Sequence, residues 1–168
     1  MPNYLLDTNI YLNFYERYYK FNIFPSFWSS FIPVINNNVV IPKVVIDENY
    51  QDMSFKDWIG NNYSNTILNH KVYARDWLII LEHLRTCGYY KDAALDSDRG
   101  WANERIADAW LVAIAKKEGF TIVTDEKRNP NLLKGSPSKA AKIPDICDNL
   151  NIRCITMNQF FQEVGLVI

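Results

Sequence analysis

The sequence predicts an α/β fold in which a central parallel sheet lies between helices in a three-layer α/β/α arrangement. Short apolar runs alternate with amphipathic helical stretches along the chain. Two of the apolar runs, at residues 4–6 and 120–124, lead directly into acidic residues. Because strands that are separated by helices pair in parallel, this alternation predicts one sheet with helices on both faces.

The chain up to residue 86 is predicted to contain two strands and four helices. Pro25 and Pro42 each suit the first turn of a helix, because proline loses no hydrogen bond there. β-branched residues before Pro42 favour a strand, and the apolar spacing after residue 66 indicates a long amphipathic helix. The predicted elements are a strand at 4–6, a helix from about 9, a helix from 25, a strand at 39–41, a helix at 42–52 and a helix at 66–86.

The stretch NERIADAWLVAIAKKEG is predicted to be a helix, because it has residues that favour a helix start at one end and a helix stop at the other. Asn103 can cap its start, and Gly119 can supply the left-handed residue that ends it. Lys116 and Lys117 suit the negative end of its dipole. The remaining predicted elements are a strand at 120–124, a helix in PDICDNL, a strand at 152–156 and a terminal helix in MNQFFQEVG.

Length and composition indicate one soluble domain, residues 1–168, in the cytoplasm. The chain has 168 residues and is 48% hydrophobic, which is enough to fill a single core. No apolar run approaches the ~18 residues that a membrane span needs, and the N-terminus lacks the zones of a signal peptide. The net charge of −1 argues against a strongly basic nucleic-acid binder, although it leaves room for a local basic patch.

Cysteine and histidine chemistry is not favoured. The three cysteines are odd in number and lack C-x-x-C spacing, so neither a disulfide framework nor a zinc cluster is indicated. His70 and His83 have no partner at ligand spacing, and a structural role is the better interpretation of each.

Acidic residues follow two of the predicted strands at their carboxyl ends. Asp7 follows the strand at 4–6, and Asp125 and Glu126 follow the strand at 120–124. In open parallel sheets, ligands bind beyond the carboxyl ends of the strands, so these acids are candidate site residues. For Asp7 alone, capping of the following helix is an equally good interpretation.

Two further acids, Glu48 and Asp108, lie on the apolar faces of predicted helices, whereas Asp47 falls on a polar face. A buried carboxylate without a partner costs several kcal/mol, so each acid needs either a nearby cation or a place in a cleft. For Asp108, pairing with Arg75 or Arg105 is the structural alternative. The apolar residues on these faces are Ile41, Val44 and Val45 for Glu48, and Leu111, Val112 and Ala115 for Asp108.

Carboxylates that converge without a matching set of basic residues repel one another. A hard divalent cation with oxygen ligands relieves this repulsion. The sequence therefore predicts a site for Mg²⁺ or Mn²⁺ at the carboxyl ends of the strands.

Four stretches of the chain resemble PIN-domain nucleases: YLLDTN, IPKVVIDEN, IADAWLVAIAKKEGFTIVTDE and, less specifically, KIPDICDNLNIRCIT. They occur in the order expected for that family and span nearly the whole chain. The segments ERYYKFNIFPSFW and KIPDIC further resemble a prokaryotic subfamily of VapC-like PIN domains. The resemblance implies a three-layer fold and an acid cluster that holds Mg²⁺ or Mn²⁺ for RNA cleavage.

Carried over to this chain, the resemblance places catalytic and metal-binding acids at Asp7, Glu48, Asp108 and one acid after Thr124. PIN domains often separate this threonine from the acid by one residue, which selects Glu126, whereas adjacency selects Asp125. Asp125 is put first as the metal ligand because a shorter acid lies closer to the strand end. The residues expected to orient carboxylates or water are Thr8, Asn9 and Thr124, with turn and cap roles as the alternative.

A run of basic residues without an acid follows the last of these positions, in the segment KRNPNLLKGSPSKAAK. A solvated loop and a surface that contacts the RNA backbone are equally good interpretations, since positioning contacts to phosphates come mostly from Lys and Arg. Asp145, which follows Pro144, is expected to stabilise a helix start. The candidate substrate-binding residues are Lys127, Arg128, Lys134, Lys139 and Lys142.

The function predicted from these features is a metal-dependent endoribonuclease, and the resemblance suggests the toxin of a toxin–antitoxin pair. The alternative from another class is a non-catalytic module that binds RNA or a protein on the same fold. A phosphatase of the haloacid dehalogenase type is a weaker alternative, because Asn9 stands where such an enzyme has a second acid. A receiver domain is likewise a weaker alternative.

The segment from residue 11 to residue 31 contains ten aromatic residues. Aromatic side chains supply many interface contacts, so some of these rings are expected to form a homodimer contact or a groove for an antitoxin. The alternative is that the rings pack internally beneath the helix predicted at 66–86. The ten residues are Tyr11, Phe14, Tyr15, Tyr18, Tyr19, Phe21, Phe24, Phe27, Trp28 and Phe31.

Overall fold

The computed structural model describes residues 3–49 and 52–168, and its sheet contains three short parallel strands in the order β1-β2-β3. Tyr4 pairs with Thr121, and Ile122 pairs with Cys154. The α/β class and the parallel pairing predicted from the sequence are confirmed, with a sheet smaller than expected. The strands are β1 (Tyr4–Leu6), β2 (Thr121–Val123) and β3 (Cys154–Ile155).

Nine α-helices surround the sheet within the described residues, together with a π-helical segment at Asn13–Tyr18 and a 3₁₀ turn at His70–Tyr73. Pro25 opens α2, and Gly119 ends α7 in the left-handed conformation with φ of 74°, both as predicted. The helices are α1 (Thr8–Leu12), α2 (Pro25–Asn38), α3 (Lys43–Glu48), α4 (Met53–Asn62), α5 (Ala74–Thr86), α6 (Ala93–Asp96), α7 (Ala107–Glu118), α8 (Ile143–Leu150) and α9 (Met157–Val164).

The strand predicted at residues 39–41 is wrong. Val39 makes an isolated parallel bridge to Tyr4, and Pro42 makes another to Leu68. The segment is therefore extended and connects β1 to the chain before α5, but it does not continue as a ladder. β-branched residues favour extended backbone in general and do not by themselves select a paired strand.

Three predicted helices begin or end elsewhere. The helix predicted at 42–52 ends at Glu48, and residues 50 and 51 lie outside the described residues. The helix predicted at 66–86 begins only with the 3₁₀ turn at His70–Tyr73. Asn103 does not cap α7, which begins after Ile106, but its side chain accepts a hydrogen bond from the Arg105 backbone N–H at 3.0 Å.

Helix α7 is the central helix of the core and packs against α3, α5, α8 and β2. From Ala109 to Ala115 every residue is buried, so the helix is apolar around its whole circumference in this stretch. Full burial of side chains such as Leu111 and Ile114 stabilises the fold by about 1.5–3 kcal/mol each. The first turn of this rigid helix carries Asp108.

Most rings of the aromatic segment belong to the core. Tyr18 and Phe24 are exposed, whereas Tyr15 and Trp28, two expected interface residues, are buried. Phe14 stacks on Phe161 of α9 with ring centroids 5.7 Å apart. Because two rings are exposed, a partner contact by some of the rings stays a prediction. The alternative needs correction, because the buried rings pack against α4 and α9 rather than beneath α5. The buried rings are Tyr11, Phe14, Tyr15, Phe27, Trp28 and Phe31.

None of the helices within residues 3–49 and 52–168 combines the length and apolar character that crossing a membrane requires.

Candidate functional site

A cleft of about 1770 Å³ opens at the carboxyl ends of β1 and β2. Four of the five predicted catalytic acids line it, and they come from four different parts of the chain: the end of β1, the end of α3, the first turn of α7 and the segment after β2. Such a position beyond the strand ends is where open parallel sheets bind ligands. These four residues, Asp7, Glu48, Asp108 and Glu126, are called the acid quartet below.

Asp7 continues β1 and is held firmly at the base of the cleft. Its backbone N–H donates to the Val123 carbonyl at 2.9 Å, and its Oδ2 accepts a hydrogen bond from Thr124 Oγ1 at 2.8 Å. Burial and the neighbouring Glu126 and Glu48 carboxylates raise the pKa of Asp7 to about 7, although the Thr124 hydroxyl opposes the shift. A group whose charge is this costly in the folded protein is a candidate ligand for a cation.

Glu48 lies at the C-terminal end of α3, and the first turn of this helix is hydrogen-bonded to His70. The neutral Nδ1 of His70 accepts a hydrogen bond from the Val44 backbone N–H at 3.1 Å, and burial lowers the pKa of this imidazole. Glu48 Oε2 accepts hydrogen bonds from Thr8 Oγ1 at 2.8 Å and from the Ala107 backbone N–H at 3.2 Å. Glu48 thereby joins the starts of α1 and α7, and its pKa is still raised by burial.

Asp108 lies in the first turn of α7, one turn earlier than the sequence predicted. No Lys or Arg within the described residues forms an ion pair with it, so the predicted alternative of a pair with Arg75 or Arg105 is not seen. The pKa of Asp108 is well above its usual range because the carboxyl is buried and because Asp7 and Glu126 lie near it.

Glu126, rather than Asp125, lines the cleft. Glu126 Oε2 accepts a hydrogen bond from the Ile143 backbone N–H at 2.8 Å, at the start of α8. Asp125 instead accepts hydrogen bonds from Asn13 Nδ2 at 3.2 Å and from the Met157 backbone N–H at 3.0 Å. Its carboxylate therefore ties the strand end to α9, and the geometry favours Glu126 over Asp125 as the fourth acid of the site.

The residues expected to orient the carboxylates lie beside them. Thr8 donates to Glu48 and Thr124 donates to Asp7, as described above. Thr124 Oγ1 also accepts a hydrogen bond from the Glu126 backbone N–H at 3.1 Å, which fixes the chain on which Glu126 stands. Asn9 lines the cleft. Hydroxyl donors of this kind hold carboxylates in place for a ligand.

The acid quartet is spread over the cleft. Within the described residues, no group of three acidic, histidine or cysteine side chains lies close enough together to hold a metal ion as the side chains stand. Lys142 Nζ lies 3.9 Å from Glu126 Oε1 and is a loose partner of the quartet. Arg99 also favours the charged form of Glu48, although it forms no ion pair with it among the described residues.

Only part of the predicted basic surface faces the cleft. Lys139 and Lys142 line it, whereas Lys127, Arg128 and Lys134 are not among its lining residues. Arg128 forms a two-point ion pair with Asp148, with nitrogen–oxygen distances of 2.7 and 2.9 Å. Of the five predicted substrate-binding residues, the structure brings two to the cleft and leaves three outside its lining, so for those three a contact with RNA stays a prediction.

Lys134 and Asp145 each interact with other residues of the fold. The Lys134 ammonium lies 5.5 Å from the centre of the Tyr89 ring. Asp145 Oδ2 accepts a hydrogen bond from the Asn129 backbone N–H at 3.0 Å, so its carboxylate stabilises the loop before α8 as well as the helix start.

Four further cations line the cleft that are not among the predicted substrate-binding residues: Lys43, Lys71, Arg99 and Arg105. Lys43 is paired with Asp47, with Nζ 2.7 Å from Oδ2. Arg99 and Arg105 lie in the loop of residues 97–106, whereas the sequence predicts a helix from Asn103 and offers Arg105 only as an alternative ion-pair partner of Asp108. The closeness of Arg105 to Asp108 along the chain is the one signal for this region.

Residues 4–168 match the model of a family described as a domain of unknown function (DUF4411). The match includes every residue of the acid quartet. The chain matches no curated protein and no solved structure.

Proposed function

The chain belongs to this family of domains of unknown function (DUF4411), and we propose that it is a metal-dependent endoribonuclease with a three-layer PIN-like fold. The observation that carries the proposal is the acid quartet. Four carboxylates from four separate parts of the chain line one cleft, and burial and mutual repulsion raise the pKa of Asp7 and Asp108. A purely structural acid is usually paired with a cation or a set of donors, and Asp108 has no ion pair within the described residues.

The donor set suits Mg²⁺ or Mn²⁺. Both are hard cations that prefer carboxylate oxygens, and Mg²⁺ is typically held by one or two carboxylates while it keeps several waters. The spread of the quartet fits this mode of binding, because three carboxylates need not contact one ion directly. The residues that would hold the metal are Asp7 and Asp108 directly and Glu48 and Glu126 through water.

A metal held by the acid quartet would supply Lewis-acid chemistry, which would polarise a phosphoryl oxygen and lower the pKa of a bound water for hydrolysis of the phosphodiester bond. The protein contributes hydrogen bonds that hold the carboxylates in position. Thr124 holds Asp7 by one oxygen, and Thr8 and the Ala107 N–H hold Glu48 by one oxygen. Each carboxylate is thus oriented before the substrate binds, which reduces the reorganisation needed during the reaction.

A polynucleotide substrate is supported by the size and charge of the cleft. Its volume of about 1770 Å³ exceeds the roughly 300–1,000 Å³ of small-molecule sites. Cations suited to phosphate contacts, including Lys139 and Arg99, line the same cleft as the acids. RNA rather than DNA, and a role as the toxin of a toxin–antitoxin pair, are proposed from the resemblance to PIN domains.

A non-catalytic module that binds RNA or a protein on the same fold is the alternative. Such a module requires no acid quartet. The repulsion between Asp7, Asp108 and Glu126 would lower its stability and would serve no function in it. Cleavage activity therefore separates the two functions.

The experiment compares cleavage of single-stranded RNA in Mn²⁺ by the wild type and by Asp7→Asn and Asp108→Asn. Both variants are expected to lose detectable cleavage while they keep the wild-type circular dichroism spectrum, and EDTA is expected to stop the wild-type reaction. Asp76→Asn is the matched control, because Asp76 also lies in the first turn of a helix but not in the cleft. Equal cleavage by the wild type and both quartet variants would overturn the assignment.

A further inference from the structure

Arg99 and Arg105 line the cleft from the loop of residues 97–106, which leads into α7. Both side chains are exposed, and neither forms an ion pair with any acid in the described parts of the chain. Glu104, between them in sequence, also lines the cleft and is not paired with either arginine. Two guanidinium groups are thus available to a ligand in the same cleft as the acid quartet.

The loop that carries the arginines is tightly built. Gly100 donates to the Ser97 carbonyl at 2.8 Å, and the Trp101 N–H donates to the Ala94 carbonyl at 3.0 Å. A Cβ atom on Gly100 would lie 2.2 Å from the Leu95 carbonyl oxygen, so the turn requires glycine. Trp101 is buried, at 2% exposure, and anchors the turn in the core.

Asn103 organises the second half of the loop. Its Nδ2 donates to the Asp98 carbonyl at 2.7 Å, and its Oδ1 accepts from the Arg105 N–H at 3.0 Å. The indole N–H of Trp110 on α7 donates to the Glu104 carbonyl at 3.0 Å. The backbone beneath Arg99 and Arg105 is therefore fixed, so that little ordering of the loop is needed when a ligand binds.

A second basic segment, residues 138–142, lines the same cleft with Lys139 and Lys142. Ser138 is fixed to the segment that leads into α6, because its N–H donates to Tyr89 and its carbonyl accepts from Lys91, each at 2.8 Å. Lys142 approaches Glu126 of the quartet at 3.9 Å. The cations of the two segments and the quartet thus share one cleft.

Acids from other parts of the chain also line the cleft. Glu16 belongs to the π-helical segment, Asp47 to α3, and Asp52 caps α4. Lys43 is paired with Asp47, and Lys71 also lines the cleft. Because acids repel phosphate groups, a polyanion is attracted more by the cations of the two basic segments than by these residues.

We propose that Arg99 and Arg105 form a binding site for the phosphate backbone of single-stranded RNA. The strand contacts the arginine loop, crosses the acid quartet and continues towards Lys139. Guanidinium groups suit this role because their planar fork of donors binds phosphate oxygens at two points. The choice of RNA and the cleavage step at the quartet rest on the proposed function, whereas binding of a phosphate backbone by the arginines does not.

The test measures binding of a fluorescein-labelled single-stranded RNA by fluorescence anisotropy in EDTA, over a series of KCl concentrations. Arg99→Gln and Arg105→Gln are each expected to weaken binding several-fold, and roughly tenfold or more in combination. Each lost phosphate contact is expected to reduce the slope of log K against log[KCl] by about 0.7. Arg99→Lys and Arg105→Lys keep the charge and are expected to keep most of the slope.

Lys117→Gln is the matched control, since Lys117 is an exposed cation at the opposite end of α7 from Asp108 and does not line the cleft. Its affinity and salt dependence are expected to equal those of the wild type. Wild-type affinity and slope in the double arginine variant would overturn the phosphate site, whether or not the protein cleaves RNA. Arginine-dependent binding without cleavage in Mn²⁺ would support the phosphate site and overturn the nuclease instead.

Discussion

Asp125 and Glu126 are neighbours in the chain, yet their carboxylates serve different parts of the molecule. Glu126 lines the cleft, and Asp125 accepts hydrogen bonds from Asn13 and from the Met157 N–H at the start of α9. Adjacent residues in extended backbone point in opposite directions, so one of the two must face away from any single site. The sequence shows that the two side chains point in opposite directions. It does not show which of them faces the cleft, because that depends on how β2 lies against α9.

Glu126→Gln and Asp125→Asn are therefore expected to have different defects. Glu126→Gln should reduce RNA cleavage roughly 10–100-fold, the usual effect of removing a group that acts on a metal through water. Asp125→Asn should keep most activity but lower the free energy of unfolding by about 1 kcal/mol, because the cap of α9 is weakened. Cleavage rates and thermal melts of both purified variants measure this. An inactive Asp125→Asn with an unchanged melt would contradict the assignment.

Burial and the neighbouring carboxylates of the acid quartet both affect the ionisation of Asp7. Its pKa in the folded protein is raised to about 7, above the value of an unfolded aspartate, so its protonated form stabilises the fold at low pH. That contribution is lost as the pH rises through about 7, where the carboxylate becomes charged among Glu48 and Glu126.

Asp7→Asn is accordingly expected to melt above the wild type in EDTA at pH 8, and the difference is expected to shrink towards pH 5. The asparagine keeps an oxygen for the Thr124 hydroxyl but carries no charge. Comparing the two proteins at each pH cancels the contributions of His70 and His83, whose pKa values burial lowers from their usual range. A lower melting temperature for the variant at pH 8 would show that Asp7 is a structural acid.

At the scale of elements, the sequence predicts the long, strongly patterned parts of the fold well. Helix α7 is a long apolar stretch that ends at Gly119, and β1 and β2 are short apolar runs that are followed by polar residues. Helices α4 and α6 were missed. Helix α6 has only four residues and so shows no periodicity, and α4 contains Gly60 and polar residues that mask its amphipathic face. The Asp52 side chain, which caps α4 at Phe55 N, was the readable signal.

The arginine loop could not be predicted because tertiary contacts determine it. Its turns are fixed by hydrogen bonds to Ala94 and Leu95 carbonyls and by the burial of Trp101. No local pattern in the sequence shows that Arg99 and Glu48 line the same cleft. The turn of this loop nevertheless requires glycine at position 100, and a substitution there can test this requirement.

Gly100→Ala is expected to destabilise the protein by about 1–3 kcal/mol, since the new methyl group would overlap the Leu95 carbonyl and force the turn to shift. It should also weaken RNA binding, because Arg99 moves with the turn. Gly60→Ala is the matched control: a Cβ there meets nothing within 4 Å, and Gly60 lies inside α4. The control should gain about 0.5–1 kcal/mol. Chemical denaturation measures both, and a neutral Gly100→Ala would contradict the rigid loop.

At the scale of the whole molecule, the parallel order of the sheet assembles the site. β1 and β2 are adjacent although more than a hundred residues separate them, so Asp7 and Glu126 meet at one edge. Helix α7 brings Asp108 to the same edge, and α3 brings Glu48, whose oxygen accepts the Ala107 N–H. The sequence predicted Asp7, Glu48 and Asp108, but it put Asp125 ahead of Glu126 as the fourth acid, and it is Glu126 that lines the cleft. It could not supply the distances between them, which depend on the packing of α3 and α7.

The central claim is that the acid quartet binds a divalent metal ion, and anomalous diffraction from crystals soaked in Mn²⁺ tests it most directly. The wild type is expected to show an anomalous difference peak within coordination distance of Asp7 and Asp108, with Glu48 and Glu126 in contact with its water ligands. Crystals of Asp108→Asn are expected to show a weakened peak or none. A well-ordered quartet without anomalous density in the wild type at saturating Mn²⁺ would contradict the claim.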